Sequence, residues 1–189
     1  MTPGLRNSLP PANPRAGFTL AEVMISATLA CFILAGVLST FLFLGRSGAN
    51  TQNYNDMEAQ TRKTLAIFAE DTRQASAIGW TSSVSLTLTV NNVPVSYYYD
   101  PAAATFYRQV TGGTATALVT NVTSFSFQAY AVTGTALALS SGSDLATAGR
   151  STKQLQLSLV AARTTRTVSK ASNTVVSARF ILRNKKVTT

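Results

Sequence analysis

Arg15-Ala16-Gly17-Phe18-Thr19-Leu20-Ala21-Glu22 opens the stretch on which the fold turns. From there, residues 18–44 read FTLAEVMISATLACFILAGVLSTFLFL, with Glu22 as the single charge. As a helix rising about 1.5 Å per residue, the run spans roughly 40 Å, enough to cross a hydrocarbon core of about 30 Å. It exceeds the apolar part of a secretory signal, roughly 7–15 residues. A carboxylate inside such a run costs about 2.5–3.5 kcal/mol at a helix centre and less near an end. Glu22 therefore needs a reason. Read alone, it is either an interfacial acid at the end of a signal anchor or a functional group with a partner.

Upstream, residues 1–17 are polar, with Pro3, Pro10, Pro11 and Pro14 opposing a helix and Arg6 and Arg15 as the only charges. They read as a leader. Downstream, residues 45–55 are small and polar. From Asp56 to Ile78 the period turns helical: Met57, Leu65, Phe68, Ala75 and Ile78 share a stripe, with Thr61 and Thr72 at its weaker positions. Glu58, Arg62, Lys63, Glu70, Asp71 and Arg73 fall on other faces, so Glu70-Asp71 is expected in solvent. One helix from Phe18 into the seventies is predicted, weakest at Gly45–Gly48.

After Gly79 the period becomes two. Val84, Leu86, Leu88 and Val90 alternate with Ser and Thr, and Asn91-Asn92 turns the chain into Val93–Tyr99. Further strands are predicted at Phe106–Val110, Leu118–Val122 and Ser124–Val132, and around Leu155–Leu159 and Val176–Leu182. Residues 133–152, rich in Gly, Ser, Ala and Thr, read as a long loop. The fold class expected is α+β: a long N-terminal helix, membrane-spanning in its first half, packed on an antiparallel sheet.

Composition narrows the chemistry. The 189 residues include 16 Lys plus Arg, 7 Asp plus Glu, no His and one Cys, a formal charge of +9. Zinc sites and triads that need His are excluded, as is any disulfide framework. Cys31 reads as a small buried apolar residue of the first helix. Asp100 and Asp144 are isolated, too few for a hard-cation cage. No cofactor and no enzymatic activity are expected. Nine of the basic residues lie after Asp144, with no acid among them. A solvated sheet face explains them more simply than a nucleic-acid partner.

Taken with its neighbours, Glu22 acquires a reason. A basic leader ending in Gly17, then Phe18-Thr19-Leu20-Ala21-Glu22 and an apolar run, resembles the signal of type IV prepilins and type II secretion pseudopilins. The resemblance implies cleavage between Gly17 and Phe18 by prepilin peptidase, which also methylates the new amine. It implies that Glu22 contacts the amine of a neighbouring subunit during assembly, where a buried carboxylate needs such a counter-charge. Ala16 before the glycine and Ala21 before the glutamate are small departures from the pattern. Four echoes follow: Asp71-Thr72-Arg73-Gln74-Ala75, Val95–Tyr99 with Phe106-Tyr107-Arg108, Val122–Phe127, and Phe180–Asn184. They look like segments of minor pseudopilins of the J kind and minor pilins of the W kind.

The organisation implied is leader 1–17, transmembrane and assembly helix 18–44, amphipathic continuation 45–78, and exported sheet domain 79–189. The implied partners are other pilin or pseudopilin subunits, prepilin peptidase, an inner-membrane assembly platform and lipid. The implied location is the bacterial inner membrane, crossed once with the N-terminus cytoplasmic, and then the filament. A DNA-binding minor pilin, using Arg163, Arg166, Lys185 and Lys186, and an unrelated signal-anchored surface domain are the alternatives.

Overall fold

The computed structural model describes residues 17–162 and 173–187. The leader before Gly17, and Arg163, Arg166 and Lys170 of the basic third, lie outside the described residues. The chain divides into two compact units, Met1–Gly45 and Arg46–Thr189.

Helix α1 runs Leu20–Gln74. In the first unit its side chains, including Cys31, are exposed throughout. That helix is long and apolar enough, by length and composition, to cross a membrane. Cys31 was expected buried; the single chain supplies nothing to cover it.

In the second unit α1 buries Met57, Thr61, Thr64, Phe68, Asp71 and Thr72. The apolar stripe emerges as expected through Phe68, but the helix stops at Gln74. Ile78 faces the core from a strand instead. Five strands form an antiparallel meander: β1 Ala77–Ser82, β2 Ser85–Val90, β3 Val93–Asp100, β4 Thr105–Val110 and β5 Thr116–Val119. Between β2 and β3, Asn91 and Asn92 take φ of 51° and 63°, and Val90 pairs with Val93. Positive φ at both central residues matches the right-handed strand twist, and asparagine tolerates it best after glycine.

The second sheet has the order β7-β6-β8-β9. Its strands are β6 Val122–Tyr130, β7 Ala136–Leu137, β8 Gln154–Ala162 and β9 Asn173–Ile181. Within the expected loop 133–152 lies a second helix, α2 Gly142–Ser151. Ser141 is its N-cap. The Ser141 hydroxyl accepts from the Asp144 N–H, and the Asp144 carboxylate accepts from the Ser141 N–H, closing a capping box.

Both sheets turn their alternate residues onto one core. Phe68 of α1 is its hub, fully buried, with its ring edge-on to Tyr97 at 4.9 Å, stacked with Phe127 at 5.8 Å and edge-on to Phe180 at 5.3 Å. Phe106 and Phe125 join the sheets at 4.6 Å. Aromatic pairs of this geometry add about 0.5–1.5 kcal/mol each beyond the area they bury. The α+β, pilin-like architecture of a long apolar helix on antiparallel sheets is thus present.

Residues 182–187 form a strap. Leu182 is buried and its N–H donates to Lys153 O at 3.0 Å. Asn184 Nδ2 donates to Gln74 O, the last residue of α1, at 3.1 Å. Lys185, expected on a solvated face, is buried. Its Nζ donates to Arg150 O and Thr152 O at the end of α2. Helix C-termini leave carbonyls unpaired and negatively polarised, so an ammonium is well placed there.

Candidate processing and assembly site

The first helix begins on its own cap. Thr19 Oγ1 accepts from the Glu22 N–H at 3.3 Å, while Glu22 Oε2 accepts from the Thr19 N–H at 2.9 Å. The Thr19 hydroxyl also donates to the same oxygen at 2.9 Å. Thr19-Leu20-Ala21-Glu22 is therefore a reciprocal capping box, satisfying two N–H groups that no helical carbonyl reaches. The carboxylate lies in the first turn, where the helix dipole favours negative charge.

The sequence reading singled out Gly17, Phe18 and Glu22; the structure adds Thr19. The signal for it was available, because Thr-x-x-Glu ahead of an apolar run is itself a helix-start pattern. Phe18 stands just outside the box and is 89% exposed. Gly17 has nothing near where a Cβ would sit and no strained backbone. The fold makes no demand for glycine there, so the demand comes from whatever else reads the segment.

Residues 12–38 match the prokaryotic N-terminal methylation motif. The matched span takes in Gly17, Phe18, the capping box and the apolar helix to Leu38. The methylation motif marks a type IV pilin-like precursor of the kind that prepilin peptidase processes. The pilin-like family marked by this motif is structural. No curated protein matches the chain.

A second constellation sits in the other unit and corrects the sequence reading. Asp71 is buried, not solvated. Its Oδ2 accepts from the Tyr97 hydroxyl at 2.6 Å and from Arg108 Nε at 2.8 Å. Burial, then Asp71, pushes the Tyr97 phenol far above its ordinary range. Burial opposes the Arg108 charge, yet its hydrogen bonds to Asp71 and Tyr97 hold its pKa above the usual value. The cluster ties α1 to β3 and β4. It also brings together three of the residues that carried the resemblance to minor subunits: Asp71, Tyr97 and Arg108. Asp71 Oδ2 is held by Tyr97 and Arg108 at once, an arrangement that suits a tether.

Proposed function

We propose that the chain is a minor pilin or pseudopilin, most like the J and W kinds, cleaved between Gly17 and Phe18 and assembled into a type IV pilus or type II secretion pseudopilus. The observation that carries this reading is the methylation motif, which spans a capping box at the start of α1 and an apolar first half of that helix whose side chains are all exposed. That helix requires a second environment, first lipid and then the same helix of other subunits. Small residues Ala27, Ala30, Ala35, Gly36 and Ser39 allow close approach.

Cleavage would release an ammonium on Phe18, next to the box. Glu22 is already ordered by Thr19 and offers lone pairs to a cation from a neighbouring subunit. Pairing in low dielectric stabilises the docked state and penalises a subunit out of register, since an unpaired buried carboxylate is costly. The order of the J and W echoes along the sequence, with Asp71, Tyr97 and Arg108 of those echoes meeting in one cluster, supports a minor subunit. The chain would cross the inner membrane once, with the leader cytoplasmic and the sheet domain exported, as Arg6 and Arg15 favour by the positive-inside rule.

Mass spectrometry of the mature N-terminus in a host with prepilin peptidase tests the proposal. A chain starting at methylated Phe18 is expected. An intact leader, or a start elsewhere, overturns it.

A further inference from the structure

The strap that caps both helices also borders a cleft of about 740 Å³, lined by Lys153, Arg183 and Lys186 together with Val132 and Val187. Lys153 spends one donor on Lys185 O at 2.6 Å. An ammonium has three. Arg183 and Lys186 are exposed and have no hydrogen-bond or ion-pair partner among the described residues. Beneath them Lys185 is held against the end of α2, and burial, then the Lys153 charge, lowers its pKa. Several like charges thus line one cleft, with no carboxylate side chain among the described residues that line it.

We infer that this cleft binds an acidic segment of a different protein, receiving Asp or Glu side chains on Lys153, Arg183 and Lys186, with Val132 and Val187 against the intervening apolar atoms. A second copy of this chain is a poor donor, because it carries only 7 acids against 16 Lys plus Arg, and Asp71 among them is buried against its own Tyr97 and Arg108. The formal charge of +9 further opposes like-with-like docking. A nucleic-acid duplex fits less well than a peptide. It presents a charge about every 1.7 Å along its axis and is held by extended contact, whereas three open cations here share one concavity. Arg183 adds a planar fork suited to a carboxylate.

The inference does not depend on N-terminal processing, so the unprocessed chain should bind equally. The test uses the purified full chain in dodecyl maltoside and a fluorescein-labelled hexaglutamate peptide, read by anisotropy at low salt. Arg183→Ala with Lys186→Ala should weaken binding about fivefold or more. Lys63→Ala with Arg73→Ala removes the same charge elsewhere and should leave affinity within about twofold. Arg183→Glu with Lys186→Glu should transfer binding to hexalysine. Equal losses in the two alanine pairs, or no peptide binding, would overturn the proposal. So would displacement of the peptide by a short DNA duplex, or by inorganic phosphate, at a lower concentration of charge than hexaglutamate itself needs.

Discussion

At the scale of single residues, Glu22 does two jobs with one carboxylate. Within the chain it starts a helix, and beyond the chain it is the group offered to a neighbour's amine. Glu22→Ala should leave membrane insertion intact, because the apolar run is unchanged and a lost charge lowers the insertion cost. Incorporation into filaments should fall sharply, as read by shearing and immunoblot against the membrane fraction. Assembly at the wild-type level would contradict the amine contact.

Tyr97 gives a prediction of different kind. Its phenol is held protonated in the fold, while in the unfolded chain it ionises near its ordinary value of 10.0. The native state then binds the extra proton above that pH. Its contribution is fully present below pH 10 and is lost as pH rises further, by at most about 1.4 kcal/mol per unit. Denaturant titrations of the full chain in micelles should show this decline, and Tyr97→Phe should remove it. Parallel slopes for the two proteins would refute the assignment.

Secondary elements show where the sequence was readable. Strands β2 and β8 announced themselves, because each turns one face to the core and alternation survives in the letters. Strand β1 did not: Ile78 and Trp80 flank Gly79, too short an alternation to override a helical stripe that runs into it. Helix α2 was hidden by its Gly, Ser, Ala and Thr content, although its Ser141-x-x-Asp144 box is a written start signal. Asp71 was illegible for another reason. Carboxylates on helices usually face solvent, and only the fold reveals that Tyr97 and Arg108 arrive from two other strands to meet it.

Two predictions belong to this scale. Asp71→Ala should destabilise the sheet unit by about 2 kcal/mol, below the 3–5 typical of a fully buried pair because Arg108 retains partial contact with water. Chemical denaturation of the full chain measures it, and a change under about 0.5 kcal/mol would show the tether to be idle. Ser141→Ala should cost about 1 kcal/mol through loss of the α2 cap. Amide exchange in residues 142–145 should accelerate, and unaltered protection there would argue against the box.

For the molecule as a whole, the two units keep opposite relations to water. The described part of one is the apolar start of α1 with its side chains exposed; the other hides its apolar residues around Phe68 and shows Ser, Thr and Gln on its sheet faces. Stability is thus a property of the second unit, and the strap is its clasp. Removing residues 182–189 takes the buried Leu182 out of the core and strips the hydrogen bonds that Asn184 and Lys185 give to the ends of α1 and α2. The expected loss of about 4 kcal/mol should lower the melting temperature by roughly 10 °C. An unchanged melting curve would show that the clasp contributes nothing.

That clasp has a consequence in time. A ribosome makes the chain from its N-terminus, so the apolar helix is made first and residues 182–187 emerge only after both helices and all the described strands. Until they do, α1 and α2 both end on unpaired carbonyls and the core lacks Leu182. The sheet unit therefore closes only once the strap is made, after both helices and every described strand, and a chain cut before Leu182 should be left with a looser core.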